Sequence, residues 1–257
     1  MKKSKILKVN ISVITMKKLV SLIKNHLQEI KGDYICFSNV HTTVMAYERE
    51  DYLKVQNSAL LALPDGAPLS VIIKKRGFDE SERVTGPDFM SEIFNISEKE
   101  GYSHFFYGST KETLEELEKN LKSRFPKINI VGTISPPFRP LTKEENLSVI
   151  NKINETNADF LWVGLGAPKQ EIWMYNQKSK INSLMIGVGA GFDYHANKIK
   201  RAPLVMQRCS LEWLYRLYQD PKRLFKRYLE TNTKFIFYVL KEIIFKRKNI
   251  DEMHSNS

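Results

Sequence analysis

Two short apolar runs that end in glycine limit the folds open to this chain more than any other feature. The first, Phe160–Val163, continues into Gly164 and Gly166, and the second, Leu184–Ile186, continues into Gly187, Gly189 and Gly191. A strand that stops at glycines before a helical pattern is typical of strand-to-helix turns in doubly wound α/β domains, where backbone N–H groups can approach a phosphate. Neither turn spells G-x-G-x-x-G, so the glycines alone leave a nucleotide site and ordinary loops equally open.

The hydrophobic pattern predicts a Rossmann-like α/β fold, with a mostly parallel sheet and helices on both faces. The other predicted strands are Ile6–Val13, Tyr34–Ser38, Ala59–Leu63, His104–Tyr107 and Ile128–Ile134. One helix is expected over about Thr43–Gln56, and another over Leu204–Tyr218. We expect a body of residues 1–203, made of two βα halves at about 1–101 and 102–203, and a helical membrane-associating tail at 204–257.

The positive charge of the chain is concentrated near its C-terminus. Residues 196–248 carry 14 Lys and Arg against 4 Asp and Glu, which is +10 of the chain's net +11. This stretch predicts a basic amphipathic helical appendage, in which a second helix begins at Pro221 and continues to about Lys248. Such a tail favours a polyanionic surface, either a membrane or a nucleic acid.

The faces of the predicted tail helix are defined by spacing at 100° per residue. Its apolar side comprises Phe225, Leu229, Phe235, Ile236, Val239, Leu240 and Ile243. Its cationic side comprises Arg223, Lys226, Arg227, Lys234 and Lys241. The longest apolar run here, Phe235–Leu240, is too short to cross a bilayer, which takes about 20 residues.

Four polar residues lie after a predicted strand, in a loop or at a helix start, which are positions where a side chain can bind a ligand or take part in catalysis. Asp65 comes just after an apolar strand, where ligands of parallel sheets bind, although an Asp-Gly turn also explains it. Arg83 lies in a loop and is either a phosphate clamp or a surface ion pair. Gln170 and Glu171 start a helix after Pro168, where both side chains can face a crevice, and Glu171 also suits the helix dipole.

The sequence has none of the common metal or phosphate-binding motifs. It contains no D-x-D, no Walker A sequence and no H-E-x-x-H, and its five histidines do not cluster. We therefore expect neither a metal ion nor a cofactor.

Several sequence blocks resemble the WecG/TagA/CpsF glycosyltransferases and occur in the order of that family over about residues 10–230. They are L-P-D-G (63–66), E-R-V-T-G-P-D (82–88), F-F-Y-G-S (105–109), V-G-L-G-A-P-K-Q-E (163–171), I-G-V-G-A-G-F-D (186–193), K-R-A-P (200–203), L-E-W-L-Y-R-L (211–217) and P-K-R-L-F-K-R-Y (221–228). The P-K-Q-E and L-E-W-L-Y-R-L blocks are the most specific.

The resemblance implies an inverting, metal-independent transfer of an N-acetylmannosamine-type sugar from a UDP donor to a polyprenyl-diphosphate-linked sugar. This reaction takes place at the cytoplasmic face of the bacterial cell membrane, in teichoic acid, common antigen or capsule synthesis. The expected catalytic residues are Asp65 as base, Asn39, Arg83 and Gln170. The expected residues for the UDP-sugar are Gly66, Gly108, Ser109, Gly164, Gly166, Glu171, Gly187, Gly189, Gly191 and Asp193. Arg216, Arg223 and Arg227 are expected to meet the lipid diphosphate or the membrane.

Other interpretations remain open at this point. The chain departs from the family pattern at Phe37 and at Ser135-Pro-Pro-Phe138, so the transferred sugar is undecided and another UDP-sugar is an alternative. A non-catalytic, membrane-anchored nucleotide-binding protein is a second alternative. Nucleic-acid binding through the tail is a third, but the sequence has no RNA- or DNA-reading motif, and we expect no nucleic-acid partner.

Overall fold

The structure, a computed structural model, describes the backbone of residues 1–255 and the side chains of residues 1–207 and 209–244. The last two residues of the predicted tail therefore lie outside the described part. In chain order the strands are β1 (Lys3–Ile6), β2 (Val9–Ser12), β3 (Tyr34–Ser38), β4 (Leu61–Pro64), β5 (Ser103–Gly108), β6 (Asn129–Ile134), β7 (Phe160–Gly164) and β8 (Leu184–Gly187). Strands β3 to β8 form one sheet in the order β4-β3-β8-β7-β5-β6, and every neighbouring pair is parallel. The predicted parallel α/β architecture is confirmed.

Helices connect and cover these strands. They are α1 (Met16–Ile30), α2 (Val40–Glu48), α3 (Glu50–Asn57), α4 (Ala67–Lys75), α5 (Gly86–Glu100), α6 (Lys111–Arg124), α7 (Lys143–Glu155), α8 (Lys169–Gln177), α9 (Gly191–His195), α10 (Leu204–Arg208), α11 (Glu212–Gln219) and α12 (Pro221–Ser255). Several helices begin after an N-cap residue whose side chain accepts a hydrogen bond from the backbone N–H three residues later. Examples are Thr15 before α1 and Thr142 before α7.

Strands β3, β4, β5, β7 and β8 are buried on both faces, because their successive residues point to opposite sides and helices cover each side. The edge strand β6 is only partly buried. In β7, Phe160 and Trp162 enter one apolar cluster with residues of α1, α5 and α6. Leu161 and Val163 of the same strand enter another cluster with residues of α7 and α8. This two-sided burial explains why the strands read as continuous apolar runs in the sequence.

The first predicted strand is wrong. Instead of one strand over Ile6–Val13, β1 and β2 form an antiparallel hairpin that pairs Ile6 with Val9, separately from the main sheet. Leu7 and Lys8 both have positive φ, 45° and 74°, which matches the two-residue turn that right-twisted hairpins prefer. The alternating pattern continues across the turn because Leu7, Val9 and Ile11 all enter one core.

Two predicted helices are each split in the structure. The helix expected over Thr43–Gln56 is divided into α2 and α3 at Arg49, whose φ and ψ of −126° and 109° are those of extended backbone. The helix expected over Leu204–Tyr218 is divided into α10 and α11, with Ser210 at a φ of 61° between them. Apolar spacing carries through both breaks, so it did not reveal them.

Helix α12 packs against the body rather than standing away from it. Phe235 is 5% exposed and lies in the core formed by the hairpin, α2 and α3. Glu48 of α2 accepts from Tyr238 at 2.8 Å and pairs with Lys234 at 3.0 Å. The predicted faces of α12 therefore need correction. Phe235 and Val239 of the predicted apolar side face the body, and so does Lys234 of the predicted cationic side. Within the described residues, none of the helices combines the length and the apolar character that crossing a membrane requires.

Candidate active site

The carboxyl edge of the sheet brings together residues that are far apart in the sequence. Asp65 follows β4 and Asn39 follows β3, and the backbone N–H of Asp65 donates to Ser38 at 2.8 Å. The next strands across the sheet, β8, β7 and β5, end in the predicted glycine positions. One edge thus holds the candidate base and all the candidate phosphate-binding turns, as expected for the crevice of a parallel sheet.

Asp65 is half-buried at the end of β4 and has a raised pKa. Burial raises its pKa to about 6, with Glu212 and Asp88 acting in the same direction and with Arg83 and Arg216 opposing them. The next residue, Gly66, has a φ of 127°, so the chain turns sharply from the strand into α4 at a conformation that other residues rarely adopt. This turn leaves the carboxyl group at the sheet edge.

Asn39 is the N-cap of α2. Its Oδ1 atom accepts from the backbone N–H of Thr42 at 3.1 Å, and the Thr42 hydroxyl accepts from the backbone N–H of Asn39 at 2.9 Å. This capping box fixes the side chain next to the Asp65 strand end. The structure therefore gives Asn39 a definite structural task, in addition to its predicted place in the site.

The glycines of β5 and β7 allow two turns to lie against each other. A Cβ atom on Gly108 would lie 2.6 Å from the backbone of Gly164, and Gly108 has a φ of 122°. The N–H of Ser109 donates to the Gly164 carbonyl at 3.0 Å. The other close-packed predicted glycines, Gly164, Gly187 and Gly191, lie against Phe192, Met174 and Met90. At Gly108 the close atoms are backbone, so only a hydrogen fits there, whereas at Gly187 and Gly191 they are the ends of methionine side chains, which can move.

Gln170 joins the two glycine turns from within the protein. Its Oε1 atom accepts from the N–H of Gly166 at 3.2 Å and from the N–H of Gly189 at 3.0 Å. Its Nε2 atom donates to Glu171 at 2.8 Å. The expectation that Gln170 and Glu171 face an open crevice is wrong, because they are 4% and 1% exposed and point beneath the turns.

Arg83 is held by an acidic residue from the appendage. Its guanidinium group donates to Oε2 of Glu212 at 2.7 Å, and the other oxygen of Glu212 lies 3.2 Å from Arg201. Arg201 also pairs with Asp88 at 2.9 Å. Burial works to raise the pKa of Asp88, but the hydrogen bonds from Arg201 and Thr85 hold it below its usual range. The loop, the K-R-A-P block and α11 are thus joined beside Asp65.

Asp193 and Arg216 complete this side of the edge. The guanidinium groups of Arg216 and Arg201 each lie 5.5 Å from the ring centre of Tyr194, a distance at which a cation attracts an aromatic face. Burial raises the pKa of Asp193, while Lys198, Arg216 and Arg223 oppose that rise. The acidic Asp193 and the basic Arg216 therefore lie close together at this side of the sheet edge.

Comparison with known proteins settles the family. The model of the glycosyl transferase WecG/TagA/CpsF family matches residues 4–249. The chain belongs to this family. It is 30% identical, over 86% of its length and 84% of the relative's, to a Bacillus subtilis (strain 168) protein named N-acetylglucosaminyldiphosphoundecaprenol N-acetyl-beta-D-mannosaminyltransferase. Proteins of the same name match from Bacillus spizizenii (strain ATCC 23059 / NRRL B-14472 / W23), at 30% over 84% of this chain and 82% of the relative, and from Staphylococcus aureus (strain MW2), at 28% over 85% of both.

This glycosyltransferase has a basic groove between α2 and α12, next to the Asn39 end of the sheet. The groove has a volume of about 390 Å³, and Arg223, Arg227 and His41 are among its lining residues. Burial and the charge of Arg227 lower the pKa of His41. The three predicted lipid-diphosphate arginines are therefore divided: Arg216 lies over Tyr194, whereas Arg223 and Arg227 line the groove.

The sequence did not single out Asp88, Arg201 or Glu212, which the structure places around Arg83. All three occur inside the blocks that carry the family resemblance, at residues 82–88, 200–203 and 211–217. Their position inside those blocks was the signal by which the sequence could have identified these three residues. Their mutual pairing was not visible, because they are separated by up to 124 residues.

Proposed function

We propose that this glycosyltransferase moves N-acetylmannosamine from a UDP donor to undecaprenyl-diphosphate-linked N-acetylglucosamine, with inversion and without a metal ion. The observation that carries the proposal is Asp65, a half-buried carboxyl of raised pKa at the same sheet edge as the glycine turns. The names of the three relatives support the choice of sugar and acceptor. The product would belong to a cell-wall or capsule polymer such as teichoic acid.

Asp65 acts as the general base in this proposal. The acceptor hydroxyl attacks the anomeric carbon as its proton passes to the Asp65 carboxylate, so that a new C–O bond forms on one face of the sugar. The bond from the anomeric carbon to the diphosphate oxygen breaks on the other face, and its electron pair leaves with UDP. A single displacement of this kind inverts the anomeric configuration. A pKa near 6 leaves Asp65 mostly ionised at neutral pH yet still a usable base.

The negative charge of the leaving UDP is met by protein groups. Arg83 can turn from Glu212 to the diphosphate, since a guanidinium group binds phosphate and carboxylate in the same geometry. The N-terminal ends of α6 and α8 lie at the same edge, where their backbone N–H groups would face the diphosphate. These donors together replace the divalent ion that many UDP-sugar enzymes need.

The lipid acceptor accounts for the composition of the tail. The body at 1–203 would bind the donor, while the tail at 204–257 rests on the anionic inner surface of the cell membrane. Apolar side chains on α12 face outward, among them Phe225, Leu229, Ile236, Phe237, Leu240 and Ile243. Arg223 and Arg227 would meet the lipid diphosphate or the headgroups, at about 1 kcal/mol per cation near such a surface.

A donor screen tests the proposal. Purified enzyme is incubated with a panel of UDP-sugars and a lipid-diphosphate N-acetylglucosamine, with and without EDTA, and product stereochemistry is read by NMR. We expect UDP release only with both substrates, UDP-N-acetylmannosamine as the preferred donor, an inverted linkage and unchanged rates in EDTA. Release from another UDP-sugar alone would correct the donor. UDP binding without transfer to any acceptor would instead favour a non-catalytic protein.

A further inference from the structure

A buried polar network lies behind the two glycine turns and contains a carboxyl that the proposed reaction does not use. Glu171 is 1% exposed, and its Oε1 atom accepts from Nε2 of Gln170 at 2.8 Å. Gln170 in turn bonds to the N–H groups of Gly166 and Gly189. The network therefore runs from the carboxylate through one side chain to two turns on neighbouring strands, β7 and β8.

The chemistry of the network fixes which way the Gln170 amide points. The two ends of a carboxamide are nearly equal in shape, but one only accepts hydrogen bonds and the other only donates. With a pKa near 7 Glu171 is partly protonated at neutral pH, and its Oε1 atom accepts from the Nε2 end in either state. The Oε1 end is then directed at the two N–H groups. The reverse orientation would set donors against donors at both turns.

We infer that Glu171 is a positioning residue whose carboxylate orients Gln170 and so fixes the spacing of the Gly166 and Gly189 turns. This role deepens the proposed function and rests on it, because Gly166 and Gly189 lie in turns that we expect to bind the UDP-sugar, although their own N–H groups donate to Gln170. Glu171 itself does not touch the substrate. It acts through Gln170, and Gln170 acts through backbone N–H groups.

The burial of Glu171 supports an orienting role over a packing role. Its Oε2 atom is fully buried and makes no hydrogen bond of good geometry to the described side chains, although the Tyr52 hydroxyl is close enough to lower the pKa of the carboxyl. Burial raises the pKa of Glu171 to about 7, while the hydrogen bond from Gln170 opposes that rise. A buried, half-satisfied carboxyl costs stability, and an apolar side chain of similar size would fill the space at less cost. An acceptor at this position is what the amide needs.

Exchanging the two side chains tests the inference. In the Gln170→Glu variant the turns keep an acceptor, but two carboxyl groups face each other in the core. In the double variant Gln170→Glu with Glu171→Gln, the new amide donates to the new carboxylate, and the carboxylate still accepts from both turns. We expect the Kd for UDP to rise at least 10-fold in the single variant and to return to within about 3-fold of the original in the double variant.

The competing explanation is that the Gln170 amide contacts the donor directly, in which case the exchange of side chains cannot restore UDP binding. The double variant would then bind UDP as weakly as Gln170→Glu, and that outcome would overturn the inference. As a matched control, Glu118→Gln changes a carboxylate in an exposed pair with Lys122 on α6. This control should leave UDP binding unchanged.

Amide hydrogen exchange gives a second measurement that needs no ligand. In Glu171→Met, we expect faster exchange at the Gly166 and Gly189 N–H groups than in the original protein, with the core strands still protected. Unchanged exchange at both glycines would contradict the inference, even if the other variants fail to fold. If the original protein binds no UDP, the proposed donor is wrong, but the exchange measurement still decides the role of Glu171.

Discussion

Arg83 and Glu212 form an ion pair of 2.7 Å across 129 residues, and both side chains are mostly buried beside Asp65. The pair joins the loop before α5 to α11, so the appendage contributes a charge to the candidate catalytic edge. Glu212 raises the pKa of Asp65, whereas Arg83 and Arg216 lower it. The protonation of the candidate base therefore depends on residues from the body and the tail.

The first prediction concerns the pH dependence of transfer. Asp65 must be ionised to accept a proton, so kcat/KM should fall as the pH decreases through about 6. Glu212→Gln removes a negative charge and should move this acid limb to lower pH. Arg216→Gln removes a positive charge and should move it to higher pH. Rate profiles of the three proteins check the signs, and shifts in the same direction would contradict the assignment of the limb to Asp65.

The second prediction separates activity from stability at Asp65. Its pKa in the folded protein is about 6 rather than 3.8, so the folded state binds the proton more tightly than the unfolded chain does. The stability that this group contributes is present at low pH and is lost as the pH rises through about 6.

Asp65→Asn carries no charge at any pH. At pH 7 it should raise the free energy of unfolding by up to about 3 kcal/mol, since each pKa unit corresponds to about 1.4 kcal/mol. It should also abolish transfer while UDP still binds. Urea unfolding at pH 4 and pH 7, with a transfer assay, checks both effects. Near-normal turnover by this variant would show that Asp65 is not the base.

The third prediction compares two neighbouring aromatic residues of α12. Phe235 is 5% exposed in the core with the hairpin, whereas Phe237 is 61% exposed. Phe235→Ala should lower the free energy of unfolding by about 3–5 kcal/mol, the usual cost of removing a buried ring. Phe237→Ala should change it by less than about 0.5 kcal/mol. Equal effects in denaturant titrations would mean that α12 does not pack on the body in solution.

The fourth prediction concerns the outward face of α12. Replacing Leu229, Ile236 and Leu240 by Ser should weaken binding to anionic vesicles by about 100-fold, since partial burial of each side chain contributes about 1 kcal/mol. Thermal stability should stay the same because all three side chains are exposed. Leu147→Ser, on the exposed surface of α7, is the matched control. Unchanged co-sedimentation with vesicles would exclude this face as the membrane contact.

Local sequence patterns predicted most of the strands, because burial on both faces leaves uninterrupted apolar runs such as Phe160–Val163. The same reasoning failed at Leu7 and Lys8, at Arg49 and at Ser210, where backbone angles break an element without interrupting its apolar spacing. At the site, Asp65 and the glycines were predicted because they directly follow strands.

What the sequence alone determined is the fold class, the family and the set of residues that reach one edge of the sheet. These follow from local patterns and from blocks of adjacent residues. Only the tertiary structure decided that Gln170 binds two turns from below, that Arg83 pairs with Glu212 and that Phe235 faces the core. Each of these depends on contacts between distant segments, and neither the helical period nor charge composition specifies the partner of a side chain.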